Sequence, residues 1–386
     1  MQVKFFYYLK KYLLLVSFSF FILIFSFINF FSKNKTFSEI ENRYLQQKPS
    51  FRLNKFINNN FSEKYEKYIN DQFVFRDSWI NIKMLTEMLL LKSENNNIII
   101  GKNNYLFDKL ISIDQDKLNK NTDNIKKFIK NNKSKIYFSI IPSSYEILKD
   151  KLPLGLKNID QKIYINKIYK NLLSKKFDNL KLIDSFEFLN NKNNKIYYFT
   201  DHHWTTTGAY YFYSGASKYL DYDPVDINLI KKYKIKNFYG TYYSRAKISW
   251  KKPDDIICYE APIKSMVADN KIYNNLYNIK KFKERDKYSG FLYGNHGLCI
   301  ITSQESKNKK DNICIIKDSY SNSLVPFLTY NYNKIYIIDL RYIKQDDLKN
   351  FFNKNNINNI LIIYNFINFV SDNHIDKLEY LSKYLS

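Results

Sequence analysis

Residues 12–31, YLLLVSFSFFILIFSFINFF, form an uncharged run of twenty apolar and small residues. As a helix this run is about 30 Å long, one hydrocarbon thickness. No polar face interrupts it, which argues against a core helix packed on one side only. Lys4, Lys10 and Lys11 precede the run. The positive-inside tendency therefore leaves residues 1–11 in the cytoplasm and the body of the chain outside, although Lys33 and Lys35 reduce the contrast. A cleaved signal peptide is the competing reading. The run exceeds an ordinary signal core and no A-x-A-like site follows it, which favours a retained single-pass anchor in the cell membrane.

The remaining chain is long enough for a large core. Of 386 residues, 45% are hydrophobic and 18% aromatic, which excludes wholesale disorder. Residues 32–95 place Phe, Tyr, Ile and Leu at three- and four-residue spacings and read as a helical stalk or preamble. From residue 96 to 386 the pattern changes. Short apolar runs (NIIIG, YLF, KIYFSIIP, LKLIDS, KIYYFT, NICIIK, KIYIID, NNILIIY) alternate with helix-like segments at 114–131, 160–176, 206–220 and 373–385. Continuous β-rich runs of this kind suit strands buried on both faces, so the expected fold is α/β: a parallel sheet with helices on both faces. Residues 232–300 interrupt the alternation with aromatic, turn-rich pieces and read as an insertion able to wall a cleft.

Sixty-one basic against 37 acidic residues give a formal charge of +24. The lysines are scattered and accompany no nucleic-acid fold signature, which sets nucleic acid aside as a partner. Cys258, Cys299 and Cys314 are an odd set without CxxC spacing, offering no zinc motif or disulfide framework. Cys299 and Cys314 read as small core residues, with a Cys258–Cys299 bridge as the alternative.

Only four histidines are present, and two are adjacent in TDHHWTTTGAYYFY. Read as a strand end, that segment projects Asp201 and His203 to one side and His202 to the other. Thr205 is the expected cap of the next helix. A satisfied histidine without function is the bland alternative. Metal binding by Asp201, His202 and His203 is a further one, disfavoured because adjacent opposed side chains chelate poorly. Ser319, in NICIIKDSYSNSLVPFL, sits at an expected strand-to-helix turn where a serine is exposed and helix-start amides can stabilise an oxyanion. A serine hydroxyl needs an imidazole to take its proton and a carboxylate to hold that imidazole's tautomer, roles that His203 and Asp201 fit. Simple capping by Asp318 and Ser319 explains the local sequence equally well.

TDHHW at 200–204, KDSYSN at 317–322, GKNNYLF at 101–107 and ENR at 41–43 together make the chain similar to the DHHW family. That family is related to alginate O-acetylation proteins and resembles SGNH hydrolases with permuted motif order. The resemblance implies an SGNH-hydrolase-like (flavodoxin-like) sheet and a triad of Ser319 as nucleophile, His203 as base and Asp201 as its orienting acid. Lys317 stands where SGNH proteins usually carry glycine. The resemblance also brings forward Arg341, Asn295 and His296 for substrate or oxyanion contacts, with a surface arginine and plain turn formation as the competing explanations. Tyr242 and Tyr243 are candidates for stacking on sugar rings, and His202 and Trp204 for supporting the triad. No cofactor or metal is implied. The implied function is membrane-anchored O-acetyl transfer to a cell-surface or secreted polysaccharide, with acetyl supplied by a multi-spanning membrane O-acyltransferase. An acetylesterase with the same triad and a non-catalytic polysaccharide-binding component of an envelope export complex are the alternatives.

Overall fold

A computed structural model describes residues 2–50, 60–190, 192, 194–305 and 309–384, with 2–10 and 60 as backbone. It divides into two compact units, residues 1–92 with 247–249 and residues 93–246 with 250–386.

In the first unit, α1 (Gln2–Phe31) includes Lys11–Phe31, a stretch apolar and long enough to cross a membrane, none of it buried. A small hairpin, β1 (Phe37–Ser38) and β2 (Arg43–Tyr44), is followed by α2 (Asn60–Gln72) and α3 (Arg76–Leu89). The ENR segment becomes an ion-pair clamp. Arg43 forks onto Asp71 at 2.6 and 2.8 Å, and Glu41 pairs with Arg43, Arg76 and Lys247.

The second unit begins with an antiparallel trio, β3 (Glu94–Asn95), β4 (Ile98–Ile100) and β5 (Leu106–Asp108). Its frame is one eight-stranded sheet. β6 (Lys135–Ile141), β7 (Leu180–Leu182), β13 (Lys310–Lys317), β14 (Tyr332–Ile338) and β15 (Asn359–Asn365) run parallel in the spatial order β14-β13-β15-β6-β7. Numbered from β13, this is the doubly wound order 2-1-3-4-5 of flavodoxin-like sheets, entered by the chain at its fourth strand. Beyond β14 the sheet continues antiparallel through β12 (Leu298–Ser303), β10 (Ile263–Ala268) and β11 (Lys271–Tyr273).

Strand alternation sorts the isoleucines into two cores. In β15, Ile360 and Ile362 face one and Leu361 and Ile363 the other; in β13, Cys314 and Ile316 oppose Ile313 and Ile315. One core is covered by α4 (Gln115–Lys130), α5 (Gln161–Leu173), α7 (Gln345–Lys354) and α8 (Asp376–Ser382), the other by α6 (Thr206–Leu220) and the short helix Val325–Leu328. The fold is thus the α/β, SGNH-hydrolase-like sheet with helices on both faces that the sequence implies. All three cysteines are free and buried.

Residues 232–300 divide in two. β8 (Lys232–Phe238) and β9 (Asp254–Tyr259) form a separate hairpin around the helix Thr241–Ala246, whereas β10 to β12 belong to the main sheet. The β10–β11 turn is Asp269-Asn270, both with positive φ (47° and 61°), the geometry that two-residue hairpins favour.

Candidate active site

In the flavodoxin order the connections leave β13 in opposite directions, so a crevice opens at the carboxyl ends of β13 and β15. Ser319 lies there, two residues past the end of β13. Asp318 fixes its turn: one carboxylate oxygen accepts the Tyr320 amide at 2.9 Å, the other accepts Asn365 N–H at 2.8 Å and Asn368 Nδ2 at 2.7 Å. The helix-like stretch expected after Ser319 is a 3-10 turn, Ser319–Ser323, leading into the short helix Val325–Leu328. Because the Tyr320 amide is committed to Asp318 and the turn is short, a helix-dipole contribution to an oxyanion site is small here.

The TDHHW segment is a loop, where the sequence suggested a strand. It is closed by a single bridge between Tyr197 and Trp204. Asp201 and His203 meet because the Asp201 Oδ1 accepts both the His203 main-chain N–H (3.0 Å) and the ring Nδ1–H (2.5 Å). His203 Nε2 is then an acceptor, 2.9 Å from Ser319 Oγ. The second Asp201 oxygen accepts Thr241 N–H at 2.8 Å and its hydroxyl at 3.2 Å. Gly240 permits this approach, since a Cβ there would fall 2.1 Å from that of Asp201. His202 does not point away as strand geometry would require. Its ring packs 3.7 Å from that of His203, and its Nδ1 lies 2.7 Å from Thr241 Oγ1 and 3.6 Å from Asp201 Oδ2.

Burial raises the Asp201 carboxyl, but His202 and His203 outweigh it and hold it well below the usual carboxylate range. Burial first, then the charge of His202, bring His203 down to about 4 against the pull of Asp201. His203 is therefore neutral at neutral pH, with Nε2 able to accept a proton. For His202, burial is outweighed by Asp201 and the balance is upward.

Three hydrogen bonds bolt the TDHHW loop to the Ser319 turn: the buried Trp204 indole donates to Tyr320 O at 2.8 Å and to Ser323 Oγ at 3.0 Å, and the Tyr320 hydroxyl donates to His202 O. From the 232–300 segment, the Tyr288 hydroxyl donates to Ser319 O at 3.1 Å. Neither Tyr288 nor Thr241 is marked out by sequence, one being among 35 tyrosines. Asp254 holds the loop from below, accepting Phe199 N–H and Thr200 N–H at 2.9 Å each and the Thr200 hydroxyl at 2.6 Å.

The other candidates are placed less centrally. Arg341 is committed to Asp339 through Nε (2.9 Å) and a terminal nitrogen (2.6 Å), though its charge still reaches Asp318 and His203. Asp339 also faces Lys317, whose ammonium is 3.4 Å away and donates to Asn322 at 2.8 Å. A lysine is thus accommodated in the glycine position by burying its side chain in an ionic network. Asn295 accepts from Asn322 at 3.2 Å, whereas His296 is tied to Asp269 at 2.6 Å, at the β10–β11 turn. Tyr242 and Tyr243 are both buried, 1% and 7% exposed, so their rings offer no open face for a sugar.

A flavodoxin-ordered sheet thus brings Asp201, His203 and Ser319 together at its switch point. The chain belongs to the DHHW family, whose model, described as DHHW protein, matches residues 92–338. A crystal structure of a DHHW family protein from Eubacterium siraeum is 22% identical, with TM-score 0.62 over 74% of this chain and 96% of that one. Bacillus cereus PatB1, solved with a sulfonyl adduct, is 20% identical, with TM-score 0.59 over 72% of this chain and 98% of its own. No curated protein matches the chain.

Proposed function

We propose that this chain is a membrane-anchored O-acetyltransferase that transfers acetyl groups to hydroxyls of a cell-surface or secreted polysaccharide through an acetyl-Ser319 intermediate. The observation that carries the proposal is the continuous hydrogen-bond line from Asp201 to His203 (2.5 Å) to Ser319 (2.9 Å) at the switch point of the sheet. As Ser319 Oγ attacks the donor carbonyl, His203 Nε2 takes its proton, and Asp201 keeps Nδ1 protonated and steadies the imidazolium. Collapse of the tetrahedral intermediate expels the donor oxygen, which leaves with the proton from His203. In the second half, an acceptor hydroxyl gives its proton to His203 and attacks the acetyl carbonyl, and Ser319 regains the proton on departure. Membership of the DHHW family, with its kinship to alginate O-acetylation proteins, supports a polysaccharide acceptor. The Lys11–Phe31 stretch supports an anchor, with residues 36–386 outside the cytoplasm and acetyl delivered across the membrane by a multi-spanning O-acyltransferase.

An acyl-serine can also be discharged by water, so the test must watch the acceptor. With an activated acetyl ester and candidate envelope oligosaccharides, mass spectrometry should find an added acetyl group on the glycan. Free acetate alone, across several glycans, would establish the esterase instead.

A further inference from the structure

The first unit carries an apolar face that the spanning helix does not account for. We infer that α3 is itself embedded in the bilayer, with Trp79, Ile82, Leu85 and Leu89 among the acyl chains of the leaflet at the Phe31 end of α1. This rests on the anchored reading of α1.

Depth comes from ring contacts within the unit. The Trp79 ring lies 5.6 Å from that of Phe25 and 6.3 Å from that of Phe21, and Phe73 stacks on Phe25 at 6.3 Å and 14°. Along a helix, Phe25 and Phe21 stand about 9 and about 15 Å inside Phe31. If α1 spans a hydrocarbon core of about 30 Å, its neighbour Trp79 lies inside the same half of that core.

The face itself is exposed. Ile82, Leu85 and Leu89 are 53%, 52% and 83% open, and Leu90 and Leu91 follow at 76% and 90%. Spacings of three and four residues from Trp79 to Leu89 gather these side chains on one side of α3. Ser78 and Thr86 share that side, and the Thr86 hydroxyl donates back to Ile82 O at 3.0 Å, which satisfies it without water. Charges fall at the margins. Arg76 pairs with Glu41 and Asp77 faces Lys35 at 3.6 Å, marking the watery boundary at the start of the helix. Lys83 and Lys92 both reach Glu87, and a lysine stem is long enough to carry its head from an apolar face to the interface. Apolar residues on one side with lysines at the edge describe a helix lying in a membrane surface. At the depth set by Phe21 and Phe25, the surrounding medium is lipid.

The test uses the full-length chain in phosphatidylcholine nanodiscs. Leu85→Cys and Leu89→Cys, both at exposed positions, would carry an environment-sensitive fluorophore, with Ser19→Cys on α1 and Glu66→Cys on α2 as references. The native thiols should not compete, since burial pushes Cys258 and Cys299 up to about 12 and Cys314 higher still. The labels at 85 and 89 should shift to the blue and be quenched by acyl-brominated lipid about as strongly as the label at 19, while the label at 66 is not. If the label at 19 is quenched and those at 85 and 89 behave like 66, α3 lies in water: the anchor stands and the inference falls. A blue shift without quenching means that protein covers the face, which also overturns it. An unquenched label at 19 defeats the anchor and the inference together.

Discussion

Tyr288 lies flat on His203, ring centroids 3.7 Å apart and planes 10° from parallel. The same side chain holds the carbonyl of Ser319, so one residue touches both the proposed base and the main chain of the proposed nucleophile. Tyr288→Phe keeps the stack and loses one hydrogen bond worth about 1 kcal/mol net, so turnover of an acetyl ester should fall about fivefold with little change in substrate affinity. Tyr288→Ala removes the stack as well and leaves a cavity, destabilising the fold by about 3–5 kcal/mol. Equal turnover in the two variants, measured where both remain folded, would mean that the stack does not position His203.

Ser319→Ala, His203→Ala and Asp201→Ala should each cost about four orders of magnitude in kcat, with little further loss in combination, because the three act as a unit. Circular dichroism should show all three folded. Near-wild-type polysaccharide acetylation by Ser319→Ala would displace Ser319 from the role of nucleophile.

The acid limb of kcat/KM should lie below the ordinary imidazole range, toward about 4, because only neutral His203 can accept the serine proton. His202→Gln removes the positive neighbour and leaves Asp201 less opposed, so the limb should move to higher pH. The same depression has a stability consequence of definite sign. An unfolded His203 takes up its proton before the folded one, so its contribution to stability is lost as pH falls from about 6.5 toward about 4. Thermal melts across that window, compared between wild type and His203→Gln, read the effect directly. A limb at or above the ordinary imidazole value would show that Asp201 prevails over burial.

Asp254 accepts two amides and a hydroxyl at the root of the TDHHW loop and pairs with Lys195. Asp254→Ala strands these donors, each at about 1–3 kcal/mol where water does not replace the lost bond. The variant should melt markedly lower and lose kcat more than affinity, since the loop that carries Asp201 and His203 is no longer held. An unchanged melting temperature would show that water enters and satisfies the loop.

The contrast between Asp254 and Asp201 explains what the sequence reveals and what it hides. Asp201, His203 and Ser319 stand out because imidazoles are rare in this chain and because Ser319 follows an apolar strand. The continuous runs Ile360–Ile363 and Ile313–Ile316 announce buried strands by local composition alone. The conformation of residues 200–204 is not local. It depends on Asp254, Gly240 and Thr241, brought in from the 232–300 segment, and so a strand was the natural expectation. Tyr242 and Tyr243 show the same limit: their residue type suits a sugar platform, and only packing decides that both are buried. The short strand β12 pairs only with β10 and β14, both distant in the chain, and its alternation is too brief to announce sheet membership.

The position of β15 bears on how this protein is made. It is the last strand synthesised, yet it alone joins β6 and β7 to β13 and the rest of the sheet. During vectorial synthesis, the inner edge of β6 must wait, unpaired, while most of the second unit is produced. A ribosome that stops after β14 but short of residue 359 releases two half-sheets with no shared strand. Such a product carries Asp201, His203 and Ser319 in full, but presents proteases and chaperones with an open seam beside the crevice where those residues should meet.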